Sequence, residues 1–364
     1  MKKHLLSLIT TLLISTASTF AQDCDYSGTA GNLEWCLKDS TLTISGTGVM
    51  PDFITVMAWN KYKESINAVI IKTGVTTLFD IDNIFTLHKN LISITVDNGN
   101  KTFASEDGVL FNKDKTRLIC YPRGKTADTY VIPNGVTTIG VYAFSDCNSL
   151  ASINLPNNVT TIKHGAFWNC KNLTSINLPS SITTIGSDVF YNCKSLPSIT
   201  IPEGITKIRE GTFLNCFGLT SITIPNGVTT IGDDAFRGCR NLTSITIPNS
   251  VTTIGKNAFN WCPSLTSINL PNSITTIENY TFSNCHSLTS ITIPSSVTKI
   301  KEGAFWNCYS LTSITNLNPV PVEVTPNVFK YVNRECTLQV PKSAVSAYQN
   351  AKVWKKFTIV GIEN

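Results

Sequence analysis

Twelve cysteines and four histidines are the residues here whose chemistry could be metal binding, disulfide formation or nucleophilic attack. A zinc site gathers four Cys or His ligands at short spacings, and the chain holds no C-x-x-C and no Cys/His quartet of that kind. Cys285 and His286 are adjacent, but one pair does not hold a metal. A catalytic triad needs a His within reach of a Ser or Cys and a carboxylate. Beyond His4 the histidines are His88, His164 and His286, far apart in sequence. Asp80 and Asp82 share the opening of a calcium loop but lack its Gly and closing Glu, and Asp233-Asp234 reads as a solvated turn. No Gly-rich phosphate loop occurs. The reading is no enzyme, no metal and no cofactor.

The cysteines instead mark a period. Cys147, Cys170, Cys193, Cys216, Cys239, Cys262, Cys285 and Cys308 are each 23 residues apart. Phe144 to Phe305 and Ile139 to Ile300 keep the same interval, and eight units start at Ile132, Leu155, Leu178, Ile201, Ile224, Ile247, Leu270 and Ile293 without insertion. Within one unit Leu219, Ile222 and Ile224 have the L-x-x-L-x-L spacing of a leucine-rich-repeat strand. Alternation turns Ile222 and Ile224 inward and Ser221 and Thr223 outward. Pro225 ends the strand, Asn226-Gly227 turns the chain, and Val228 and Ile231 return along the core. Ala235, Phe236 and Cys239 suit one or two turns of tight helix, with Phe236 filling the interior. One unit cannot bury its own apolar face, so the units must stack. The expected fold is a leucine-rich-repeat solenoid, mostly β with short helical turns, and a parallel sheet on one face. A right-handed parallel β-helix competes, but the Ala-Phe-x-x-Cys segment lacks β-branched residues.

In such a stack the eight cysteines form a column with parallel Cα–Cβ vectors, whereas a disulfide needs side chains aimed at each other. A buried thiol ladder is expected, since free Cys behaves as a small hydrophobe. Cys24 and Cys36 lie outside the ladder at a spacing that closes a small loop, and are read as a disulfide. Cys120 and Cys336, near opposite ends, should not pair.

The unit Ile-Pro-x-x-Val-Thr-x-Ile-x-x-x-Ala-Phe-x-x-Cys-x-x-Leu resembles the BspA-like, or Treponema-type, leucine-rich repeat. Gly31 to Trp35 with Leu42 to Met50, and Asp107 to Phe111 with Leu118 to Pro122, resemble the flanking segments of such proteins. The resemblance implies a bacterial cell-surface or secreted protein, with adhesion to host matrix or other cells in some members.

Both ends of the chain differ from the repeat. Residues 1–21 have Lys2 and Lys3, the apolar run Leu5 to Ile14 and Thr19-Phe20-Ala21, the marks of an export signal. That run is too short to span a bilayer and no later run is long enough, so no membrane span is expected and the mature chain is placed outside the cytoplasm, with the periplasm as an option. Residues 22–69 are read as an N-terminal cap hairpin, with Lys38-Asp39-Ser40 turning between alternating strands. Residues 70–131 hold degenerate repeats and an inserted hairpin, 132–315 the eight regular units, and 316–364 a C-terminal cap with a strand at Thr337 to Pro341 and a short helix at Ser343 to Ala351.

The formal charge is +5 and 15% of residues are charged. There is no basic stripe of the kind phosphate binding needs, so nucleic acid is not expected as a partner. Where units differ, large side chains collect around each Cys: Trp168, Tyr191 and Trp306 follow the Phe, and Phe217, Trp261, Tyr280 and Tyr309 lie close by. Trp and Tyr favour protein-binding hot spots; the same rings could instead pack on neighbouring turns and shield the core. The Ser/Thr/Asn face of the sheet, from Ser152 and Asn154 onward, is a second candidate surface or simply a solvated one. The function expected is non-catalytic and adhesin-like binding of an extracellular protein, of a matrix or a cell surface. The alternative is a glycan-binding or purely structural surface protein.

Overall fold

The computed structural model describes residues 23–50, 59–78 and 85–363. The expected export signal and the Asp80/Asp82 pair lie outside them. Most 23-residue units contribute two short strands to parallel sheets, and at Thr200 and Asn269 the first strand is reduced to an isolated bridge. On one sheet Ser152, Ile153 and Asn154 pair with Ser175, Ile176 and Asn177 of the next unit. On the other, Thr138-Ile139 pairs with Thr161-Ile162 and that pair with Thr184-Ile185. The strands are this short because Pro follows the first and Gly or a charged residue follows the second. Ile176 is buried between exposed Ser175 and Asn177, so alternation places one face in the core.

The segment around each Phe differs from the helical expectation. It runs as consecutive turns whose N–H groups divide between two destinations. Gly165, Phe167 and Asn169 donate to Ser187, Val189 and Tyr191 of the next unit at 3.0, 3.0 and 2.7 Å, while Trp168 and Cys170 donate to carbonyls three residues back. An α-helix would spend all these donors within the segment, whereas the stack uses every second one to tie units together. The residue two before each Phe and the one two after it take positive φ, from Tyr142 and Asp146 through Gly303 and Asn307. Gly, Asn and Asp fill most of these places, since they tolerate the left-handed region best.

Inside, the phenylalanines form one column. Adjacent rings from Phe144 to Phe305 stack with centroids 5.4 to 5.7 Å apart. Tyr121 extends the column at one end, at 5.3 Å, and Phe329 at the other, at 5.5 Å. Phe329 stands 24 residues after Phe305, one more than the period. Trp354 and Phe357 close the column against Phe329. Beside it runs the thiol column. Cys170, Cys216 and Cys308 donate S–H to the carbonyls of Phe144, Phe190 and Phe282, each at 3.0 Å, and Cys193, Cys239, Cys262 and Cys285 do likewise. These thiols are buried and free. Burial raises their pKa, to about 12 at Cys170, Cys216, Cys262 and Cys308. A thiolate is the reactive form, so the native protein at pH 8 should leave its ten free cysteines unlabelled by iodoacetamide, and guanidinium should expose all ten. Rapid native labelling within the column would contradict this packing.

The N-terminal end begins as an antiparallel sheet. Strands Tyr26–Ala30, Leu33–Lys38 and Thr41–Gly46 pair in order, and Asp39 and Ser40 turn the hairpin with φ of 45° and 64°. Positive φ at both central residues matches the right-handed twist of the flanking strands. Thr41–Gly46 then pairs parallel with Ala68–Ile71, and that strand with Ser93–Val96. The antiparallel strands Phe103–Glu106, Val109–Asn112 and Arg117–Cys120 come next in the chain. They act as a wall between two cores. Val109, Phe111 and Leu118 belong to the core of the ring column; Leu110 and Ile119 face a separate core built on Leu33, Trp35, Trp59 and Ile94. At the C-terminal end Ser313–Asn316, Thr337–Pro341 and Thr358–Ile362 extend the first sheet. The last of these has no counterpart in the sequence reading. The helix Val345–Asn350 lays Tyr348 into the core.

Candidate functional site

The turn segments around the cysteines form one edge of the solenoid, and the seven aromatic residues singled out from the sequence all lie on it. They form separate groups. Trp168 and Tyr191 stack at 3.9 Å, with Tyr142 edge-on to Trp168 at 5.9 Å and sharing a 2.7 Å hydrogen bond with His164. Phe217, half-buried, lies between cations: Arg240 stands 4.5 Å and Lys194 5.1 Å from its ring. Trp261 is 47% and Tyr309 54% exposed, and His286 bridges them, 5.9 Å from the first and stacked 4.7 Å from the second. Trp306 is half-buried and lines an open cleft of about 290 Å³ with Tyr280, Glu302, Gly303, Asn327 and Lys330. Both readings of these rings therefore have instances: Trp168 and Tyr191 cover each other, whereas Trp261 and Tyr309 stand out in solvent.

Four aromatic residues on this edge take positive φ, Tyr142 and Tyr331 among them. Trp261 has φ of 59° and Tyr280 of 55°. At the position of Trp261 the other units have Asp146, Asn169, Asn192, Asn215, Gly238, Asn284 and Asn307. There the side-chain amides form a ladder: Asn192 donates to Asn169, Asn169 to Asp146, and Asn307 to Asn284 at 2.9 Å. Trp261 has no amide to continue it. Tyr142 and Tyr331 were not among the residues singled out, and His286 was weighed only as a metal ligand or triad member. A signal for these four positions was present, since an aromatic residue interrupts a column of Asn, Asp and Gly at each.

Electrostatics on this edge are local. Thr325 and Asn327 donate to Glu302 at 2.6 and 2.8 Å and hold its carboxyl below the usual carboxylate range. Burial lowers the His286 pKa, and burial first and the Asp188 carboxylate second raise that of Tyr142. Just before the strands of the first sheet, Thr174 and Thr220 donate to the carbonyls of Ala151 and Pro197 at 3.1 Å. Near the N-terminus Cys24 and Cys36 are bonded, with Cα atoms 5.5 Å apart. Among the described residues no three His, Cys, Asp or Glu are grouped to hold a metal ion, and no helix is long and apolar enough to cross a membrane.

A parallel stack of 23-residue units with L-x-x-L-x-L strands defines the class: this is a leucine-rich-repeat solenoid. The chain belongs to the BspA type leucine rich repeat family, whose pattern matches residues 120–239 and 206–335 in six copies. Among solved structures it is similar to a leucine rich cell surface protein of Faecalibacterium prausnitzii, at 24% identity over 94% of this chain and 96% of that one, with a TM-score of 0.48. A leucine-rich repeat protein of Bacteroides ovatus matches at 21% identity over 92% of this chain and 100% of its own, with a TM-score of 0.49. One of Eubacterium ventriosum matches at 24% over 78% and 95%, with a TM-score of 0.46. No curated protein matches the chain.

Proposed function

We propose that the protein works by binding rather than catalysis, outside the cytoplasm, as an adhesin-like module that grips an extracellular protein along its aromatic edge. The observation that carries the reading is Trp261. A bulky side chain in the left-handed region costs of order 1–3 kcal/mol, and such strain collects at functional positions. The core gains nothing from it, because the indole is exposed and its ring neighbour is the surface residue His286. The disulfide Cys24–Cys36 and the leader-like first residues support export, since disulfides persist in oxidising compartments.

The test is a binding screen of residues 22–364 against arrays of matrix proteins and of polysaccharides. For a protein hit, Trp261→Asn should weaken binding about tenfold or more, as loss of a hot spot does. The same change should raise stability by about 1 kcal/mol, because Asn suits the backbone and can rejoin the amide ladder. Binding that survives both Trp261→Asn and Tyr309→Ala would remove this edge as the site. Hits on polysaccharides alone would replace a protein partner by a glycan.

A further inference from the structure

The same surface motif occurs twice, six units apart. Tyr142 and Tyr280 both take positive φ and lay their rings over the glycine at the same place in the next unit, Gly165 and Gly303. Those glycines have φ of 58° and 61°, and a Cβ on either would overlap the tyrosine ring. Three residues on, both units carry a tryptophan, Trp168 and Trp306. Each motif is thus a cradle with a Tyr wall, a Gly floor and a Trp wall.

The cradles differ in the residue that the next unit places against the tryptophan. In the first this is Tyr191, whose ring lies on Trp168 at 3.9 Å and 13° from parallel. In the second, the corresponding residue is Lys330, whose ammonium sits 5.2 Å from the centre of the neighbouring Tyr331 ring. No ring is stacked face to face on Trp306 among the described residues; Tyr331 is tilted by 56° at 6.1 Å. The second cradle instead opens as the cleft of about 290 Å³, lined by Tyr280, Gly303, Trp306 and by Lys330, the residue that corresponds to Tyr191.

We infer that the Tyr280–Gly303–Trp306 cradle is a slot for an aromatic side chain, tyrosine in the first place, presented by a protein partner. The occupant is argued from this chain itself: with the same walls, the first cradle is closed by a tyrosine. The cleft is small beside usual ligand pockets of roughly 300–1,000 Å³, which suits one side chain better than a larger ligand. Offset stacking on Trp306 supplies the attraction. The Glu302 carboxylate, held ionised by Thr325 and Asn327, offers an acceptor for a phenol hydroxyl, and Lys330 offers a donor.

The inference rests on the binding reading but fails separately from it. N-acetyl-L-tyrosinamide is titrated into residues 22–364 while the tryptophan indole N–H signals are followed by NMR. The Trp306 signal should shift in a saturable way and the Trp168 signal should not. Lys330→Tyr should close the slot as Tyr191 closes the first, weakening the response about tenfold or more. Tyr191→Lys should open the first cradle and add a saturable response at Trp168. A Trp306 signal that stays still overturns the inference, as does one that moves equally in Lys330→Tyr or one that answers maltotriose and not the tyrosine amide. An array hit that persists after a negative titration would leave the adhesin reading intact and place its contact elsewhere on the edge.

Discussion

Phe236→Ala should destabilise the array by about 3–5 kcal/mol, the usual cost of removing a fully buried aromatic ring. Phe236 is fully buried, with a ring 5.4 Å away on each side. The cavity has little chance to collapse, because the backbones of both flanking units are tied to this one at every second residue of the turn segment. The measurement is the shift in urea midpoint and slope, monitored by circular dichroism. Phe329→Ala should cost less, since Phe329 lies at the end of the column and is 9% exposed. Equal losses at both places would mean that the column does not act as a column. A loss below about 1 kcal/mol at Phe236 would mean that neighbouring rings slide to fill the gap, which is the cost of a substitution whose site can relax.

The second large effect is acid sensitivity of the N-terminal core. His88 is fully buried there, edge-on to Phe85 at 5.9 Å. Burial lowers its pKa from 6.5 to about 4, Lys63 and Arg123 push the same way, and the Phe85 carbonyl opposes them. The folded state therefore holds this imidazole neutral while the unfolded chain takes up a proton near pH 6.5. The stability contributed by the neutral ring is complete above pH 6.5 and is lost progressively as pH falls toward 4, a loss of roughly 3 kcal/mol for a shift of this size. Carboxylates titrate in part of the same window, so the informative quantity is the difference from His88→Leu, which should lack this component. Trp35 and Trp59, packed 6.2 Å apart in that core, report the change by their emission. The wall formed by Val109–Asn112 and Arg117–Cys120 separates this core from the ring column, so thiol protection in the column should persist at a pH where Trp59 emission has already shifted. Parallel pH profiles for the native protein and His88→Leu would refute the assignment.

Much of this fold is legible in the residues because a solenoid repeats its environment as it repeats its sequence. Phe at every twenty-third position reads directly as a column, and eight cysteines with parallel bonds read as thiols that cannot meet. The turn segment was less legible. Ala235, Phe236 and Cys239 fall at a spacing that a helix also produces, and nothing local reveals that the donors of this segment leave for the neighbouring unit. Thr358–Ile362 is a strand only because Thr337–Pro341 offers it an edge. On the surface, Trp306 and Trp168 are alike in sequence, each coming directly after Gly-Ala-Phe. Their difference lies one unit further on, in Lys330 against Tyr191, a comparison across units that only the stack makes meaningful.

The thiol–carbonyl bonds and phenylalanine stacks that join one unit to the next recur along the array, from Cys170 on Phe144 to Cys308 on Phe282. A rung inserted or removed whole would meet the same neighbours, and neither end would sense the change. The array is in this respect a ruler graduated in steps of 23 residues. Its two Tyr-Gly-Trp marks stand six graduations apart, about 30 Å at the strand spacing of a sheet, and each rung gained or lost between them would move one mark by about 5 Å. Distance between surface features is thereby set by a count of identical parts and can change without redesign of any interface.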